Sequence, residues 1–164
     1  MNINLEKLRT PSIKNIKEMV KHWDTDIWKK EMEEKTTLRI YRKYKGNINE
    51  IPWYDNTSKT NLIIKARTDT LKLNWREKYK GKETTCICGY ENETLEHFIL
   101  ECNLYNEIRK KYLITQRPCN DNKEDILANI LIFQKINKEE IKERKNLIHE
   151  IWKERKRIRE AQEN

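Results

Sequence analysis

The sequence predicts a mainly α domain that ends in a long C-terminal helix. Three observations lead there. Only three Gly and three Pro occur in 164 residues, too little punctuation for a sandwich or barrel with its many tight turns. Apolar residues recur at steps of three and four along several stretches, the period of a helix with one buried face. Five Trp, seven Tyr and two Phe are a larger apolar payload than a disordered basic chain carries. Hydrophobic residues are nonetheless only 36% of the chain and charged ones 38%. A core this thin calls for a staple such as a metal or a partner.

The elements follow in order. Residues 12–35 read as an amphipathic helix, with Ser12 as N-cap after Thr10-Pro11. Ile13, Ile16, Val20, Trp23, Ile27 and Met32 form its apolar stripe. Residues 36–45 (TTLRIYRKYK) fit a short helix or an extended segment. Residues 46–56 hold Gly46, Pro52 and Asp55-Asn56 and read as a loop. Residues 58–82 read as two short helices with a bend at Thr68-Asp69-Thr70, which can cap the second. Leu62, Ile63 and Ala66 face inward in the first; Leu71, Leu73, Trp75 and Tyr79 populate the second. Residues 93–101 (ETLEHFILE) and 104–113 are short helices, 117–123 (RPCNDNK) a loop, and 124–133 a helix carrying Ile126, Leu127, Ile130 and Leu131. The last helix runs over 138–159, with Ile141, Ile148, Ile151, Trp152 and Ile158 near one face. This divides the chain into a lead-in (1–57), a central unit (58–113) and a helical extension (114–164).

The formal charge of +8 is unevenly spread. Residues 35–82 carry thirteen basic groups against four acidic ones, a net of +9. The same segment holds Tyr41, Tyr44, Trp53, Tyr54, Trp75 and Tyr79. Cations displace counterions from phosphates and rings stack on unpaired bases, so the cluster points to RNA or single-stranded DNA. Arg42, Lys43, Lys65, Arg67, Lys72, Trp75 and Arg76 are the candidate contacts. The alternative is a solvated helical face with aromatics in the core. No run of apolar residues approaches the ~20 that a spanning helix needs, and MNINLEKLRT lacks the apolar stretch of a secretory signal. The expectation is an intracellular chain, nuclear or cytoplasmic, with no membrane partner and no small-molecule substrate.

Cys86, Cys88, His97 and Cys102 fall within seventeen residues in the spacing C-x-C-x8-H-x4-C. Thiolates and imidazole are the donors that zinc prefers, and four of them close a structural site. Gly89 lets the chain turn tightly after Cys88. His97 and Cys102 lie about 140° apart on an ideal helix. They converge only if the helix ends or loosens before Cys102, which places Cys102 at a helix C-terminus. The fold class is therefore a small helical domain with an embedded zinc knuckle. The rivals are four unrelated side chains or a Cys86–Cys102 disulfide, the latter rare inside cells. Cys119 has no nearby partner and reads as a free thiol. The knuckle's neighbourhood is acidic, with no basic residue from 83 to 108, so the metal is assigned to the fold and residues 35–82 to the nucleic acid.

The knuckle (Cys86-x-Cys88-Gly89, then Glu93-Thr94-Leu95-Glu96-His97 and Phe98-Ile99-Leu100-Glu101-Cys102) resembles the zinc-binding domain downstream of the polymerase in non-LTR (LINE-type) retrotransposon reverse transcriptases. Residues 37–45 and 61–74 (NLIIKARTDTLKLN) resemble that family's lead-in, and the resemblance covers about residues 15–113. The first pair is Cys-x-Cys here, where the family usually has Cys-x-x-Cys. The resemblance implies Zn2+ on these four residues and a role in handling element RNA or target DNA. The Tyr-x-Asp-Asp polymerase signature is absent, and no nuclease carboxylate set is evident. The expected protein is non-catalytic. A four-ligand site leaves no open position for hydrolysis, and nothing brings His22 or His149 to Cys119. The alternative function is a protein-interaction module or a decayed element fragment. In it, Ile141, Ile148, Ile151 and Ile158 form a seam with a second copy or with a parent reverse transcriptase. The opposing reading packs that stripe on the chain's own core. Residues 153–159 (KERKRIR) read as a solvated helix end, a nuclear address or a phosphate contact.

Overall fold

A computed structural model describes residues 13–35, 38–46, 51–113 and 122–163. Ser12 and Cys119 lie outside them. The described residues are mainly helical and contain no strand. Six α-helices are present: α1 (Ile13–Glu33), α2 (Arg39–Tyr44), α3 (Ser58–Arg67), α4 (Asn106–Leu113), α5 (Lys123–Ile130) and α6 (Lys138–Glu163). A 3-10 helix (Asn74–Lys80), a π-turn (His97–Glu101) and a 3-10 turn (Asn103–Tyr105) connect the middle of the chain.

One apolar core runs through all three sequence divisions, from Ile40 through Ile63, Leu73 and Phe98 to Leu127 and Ile151. α6 packs on α3 and α4, and α2 packs on α1 and α5. Leu147, Ile148 and Ile151 of α6 are fully buried, with Ile141 and Ile158 packed against the same core. The stripe offered as a dimer seam is thus occupied by the chain's own core. A capping box starts α6: the Asn137 side chain accepts from Glu140 N–H (2.9 Å), and Glu140 accepts from Asn137 N–H (3.0 Å).

Two expectations are corrected. The stripe of α1 does not enter the core: Ile13 (75%) and Trp23 (66%) are exposed, as are Ile16, Val20 and Ile27. Among the described residues, the end of α1 is what anchors it to the core. There Met32 is buried, Trp28 meets Tyr41 edge-on at 6.4 Å, and Arg42 donates to the Glu33 carbonyl at 2.8 Å. Thr68-Asp69-Thr70 does not cap the following helix but closes α3. Thr68 Oγ1 donates to Ile64 O (2.9 Å) and Thr70 N–H to Lys65 O (2.7 Å), with Asp69 at φ 48°. Leu71 and Leu73 are buried just ahead of the 3-10 helix, whereas Tyr79 on it is 90% exposed. The ambiguous segment 36–45 is helical over Arg39–Tyr44, as α2.

Candidate metal centre and basic surface

The Cys/His segment is held by short-range backbone bonds. Cys86 N–H donates to Tyr90 O and Gly89 N–H to Cys86 O, both at 2.8 Å. Gly89 takes φ 89°, a conformation a side chain would strain. Thr94 Oγ1 accepts from His97 N–H at 3.1 Å and starts the next turn. That turn then widens. Cys102 N–H donates to His97 O at 2.7 Å, a bond across five residues that defines a π-turn. The wider turn removes the angular mismatch of an ideal helix and brings Cys102 under His97. Cys102 itself is the first residue past the turn, with ψ 120°. The expected loosening is therefore present, at the expected residue.

The donor atoms of Cys86, Cys88, His97 and Cys102 all lie within 4.8 Å of one another. Cys86 Sγ and Cys102 Sγ are 3.8 Å apart, and Cys88 Sγ is 3.3 Å from His97 Nε2. A tetrahedral metal with sulfur arms of about 2.3 Å spaces two sulfurs about 3.8 Å apart. The three cysteines are free thiols, not a disulfide pair. Cys86, His97 and Cys102 are buried and Cys88 is half-buried. The donor set and spacing fit a metal ion held by the protein alone.

The surroundings suit that role. Hydrogen bonding between the two sulfurs raises the Cys86 thiol and lowers that of Cys102; a cation between them would replace the shared proton. The backbone of Cys88 pulls the Cys86 thiol down in part, and that of Leu104 does the same for Cys102. Burial lowers His97, against a smaller upward pull from Glu101, leaving the neutral imidazole that a metal needs. His97 Nδ1 faces Glu101 at 3.9 Å, the side opposite the sulfurs. Tyr90 stacks on the imidazole at 4.3 Å, nearly parallel. Arg109, buried, donates to the Ile99 and Cys102 carbonyls that the π-turn leaves open.

Sequence reasoning missed the strongest tie in this region. Glu93, one of the acidic residues around the knuckle, is 0% exposed. It is gripped by Arg155 of α6 through two bonds of 2.6 Å, from Nε and Nη2. Asn74 N–H donates to the same carboxylate at 2.7 Å, and Glu93 N–H donates to Thr84 O at 2.8 Å. Arg155 is 2% exposed, and Arg159 bonds Asn74 Oδ1. Part of KERKRIR therefore clamps the knuckle and is not a solvated end.

The candidate nucleic-acid contacts disperse. Arg67 is corrected: it is 3% exposed, over the ring of Phe133 at 3.9 Å, and does not reach the surface. Arg42 is exposed but bonds the end of α1, and Lys43 pairs with Glu124 at 2.6 Å. Arg76 pairs with Asp69 at 3.3 Å, and Trp75 is half-buried. Lys65 and Lys72 are exposed. Lys72, Lys80, Lys82 and Arg159 line one surface depression, while Tyr79 with Trp75 and Arg76 lines another on the same 3-10 helix. Lys78 lies over Trp75 at 5.1 Å. The cationic-aromatic surface is thus concentrated on residues 72–82.

No protein-family model matches the chain, and no curated protein or solved structure matches it. No helix among the described residues is long and apolar enough to cross a membrane.

Proposed function

We propose that the chain is a zinc-stapled module that binds RNA or single-stranded DNA and has no catalytic role of its own. Zinc is the metal assigned to Cys86, Cys88, His97 and Cys102 because three thiolates and one neutral imidazole are soft donors closed at four. A closed site supplies cross-linking, not an activated water. The resemblance of these residues to the zinc-binding domain of non-LTR retrotransposon reverse transcriptases supports the same reading.

The nucleic-acid assignment rests on one observation: a fully offered ring, Tyr79, stands on a short helix flanked by Lys72, Lys78, Lys80 and Lys82. An aromatic held out in water among cations serves no packing purpose, and it suits a base stacked above neutralised phosphates. The test is fluorescence anisotropy with single-stranded RNA and DNA across a salt series, with metal content measured on the same sample. The expected result is one zinc per chain and an affinity that falls steeply with salt. Absence of binding at low salt removes the nucleic-acid reading; a metal-free folded chain removes the staple.

A further inference from the structure

We propose that the exposed stripe of α1 is a pairing surface for a second copy of this chain, with the two α1 helices antiparallel. Ile13, Ile16, Val20, Trp23 and Ile27 follow one another at alternating steps of three and four, the a and d seam of a two-stranded coiled coil. All five are exposed, and Met19 beside them is 65% exposed. A contiguous apolar strip rimmed by charge marks an interaction site, whereas a lone surface side chain does not.

The helix is placed for such a neighbour. Every residue from 13 to 24 is exposed, so no face of these first three turns is covered. A helix of that length standing alone in water is marginal, and burial of one apolar face is what would hold it. Trp28 and Met32, which anchor the far end of α1, lie about 120° round the helix from the stripe. The contact that fixes α1 to the core therefore does not use the seam.

Charge decides what the neighbour is. α1 holds five Lys and five acidic residues, so as a whole it attracts neither phosphates nor an anionic lipid surface. Its charge is instead polarised along the axis. Lys14, Lys17 and Lys21 against Glu18 make the first half +2, and Asp24, Asp26, Glu31 and Glu33 against Lys29 and Lys30 make the second half −2. That order opposes the helix dipole, which favours acids at the start and bases at the end; the first turn holds no acidic residue. The arrangement costs the lone helix and suits an antiparallel copy, which lays its negative half along the positive half twice over. In the seam, Lys17 and Asp24 take e positions. An antiparallel pair sets e against e, so Lys17 meets the partner's Asp24 on both flanks, and Val20 faces the partner's Trp23, small against large. A parallel pair would set Asp26 at g against the partner's Glu31 at e, a like-charge clash on both flanks.

The pairing stands apart from the nucleic-acid reading above. The test is sedimentation equilibrium of the full chain, reduced and free of nucleic acid, over a dilution series that starts at about 0.5 mM protein. A seam of two heptads is smaller than the roughly 1,200 Å2 of a tight complex, so a reversible dimer is expected, giving way to monomer on dilution. Trp23→Ser should weaken it at least about 10-fold, while its dilute monomer melts as the wild-type monomer does. Lys17→Glu and Asp24→Lys each place like charges face to face and should each weaken the dimer at least about 3-fold. Lys17→Glu also moves an acid toward the helix start, which favours the lone helix, so its loss of pairing is not a loss of helix. An equimolar mixture of these two variants should regain wild-type association, because the charges match in the mixed pair. The proposal is overturned if the wild type stays monomeric throughout, if Trp23→Ser dimerises as the wild type does, or if the mixture pairs no better than its components. Binding of the monomer to phosphatidylserine vesicles without self-association also overturns it and gives the stripe to a lipid surface.

Discussion

Replacing Arg155 by Met isolates the tie between α6 and the knuckle. Methionine conserves the length of the stem, so the packing of α6 on the core is retained and the charge alone is removed. Glu93 then stays buried with one remaining donor, the Asn74 N–H at 2.7 Å, after losing two charge-assisted bonds of 2.6 Å. Breaking a buried pair from one side costs about 3–5 kcal/mol. For a chain of this size each kcal/mol lowers Tm by about 2–4 °C, so a fall of about 6–20 °C is expected. The assay is thermal and urea denaturation of the zinc-saturated chain. Two companions sharpen it. Arg157→Met, on the same helix but exposed and paired with Glu154, should change stability by no more than about 0.5 kcal/mol. Glu93→Gln combined with Arg155→Met should recover most of the loss, because the neutral amide keeps an acceptor for Asn74 and leaves no stranded charge. An Arg155→Met cost below about 1 kcal/mol, or a double variant no better than the single, would refute the clamp.

Other outcomes are equally definite. Chelation of the metal, or Cys88→Ser, should abolish the cooperative thermal transition, since binding and folding of such a site are one equilibrium; an unchanged melt argues against the staple. Tyr79→Ala and Lys72→Glu should each lower strand affinity by about 1–3 kcal/mol or less while leaving Tm in place, as read by anisotropy and calorimetry. Trp23→Ser should shift stability by no more than about 0.5 kcal/mol, because Trp23 stands in solvent. Asp55 is held well below the usual carboxylate range by Lys145 first and by the Thr60 and Thr57 hydroxyls next. A depressed folded pKa stabilises above the unfolded value, near 3.9, and that contribution drains as pH falls through the folded pKa. The stability difference between wild type and Asp55→Asn should therefore be full at about pH 6 and shrink steadily below about pH 4, in acid-dependent denaturation curves.

The helices were legible because their apolar residues keep a 3.6-residue period, and the metal ligands were legible because donor type and spacing are local. A break could be anticipated from angle alone: five residues on an ideal helix do not converge, so the helix had to end or loosen before Cys102, and the structure resolves that choice as a π-turn. What escaped was the burial of charge. Along α6 the positions 141, 144, 148, 151, 155 and 158 form one stripe, and two of them are Arg144 and Arg155. On α3, Arg67 stands one turn from Ile63 and beside Ala66, again on the inner face. Residue type argued for the surface while periodicity argued for the core, and periodicity was the better guide. Glu93 carried no such signal, since its partner lies 62 residues away. The exposure of α1 is the converse failure. Its stripe is well formed, but a periodic face says only that something apolar could be covered, not that this chain covers it.

The buried arginines are best understood together. Arg155 is matched by the Glu93 carboxylate. Arg109 is matched by carbonyls left open at the π-turn and by Asn106. Arg144 reaches Asn129 at 3.4 Å and feels the carboxylates of Glu140 and Glu143. Arg67 has rings on its faces and a tyrosine nearby, but no carboxylate compensates its burial. In a protein with so small an apolar fraction, an unpaired interior charge is a standing penalty, since an apolar residue of equal volume would pack there without it. The other three arginines close segments of the fold onto one another. Arg67 does the same through rings: Phe133, Trp53 and Tyr41, from three other segments, stand over its guanidinium. Cation–π contacts of this kind offset part of the cost of burying the charge.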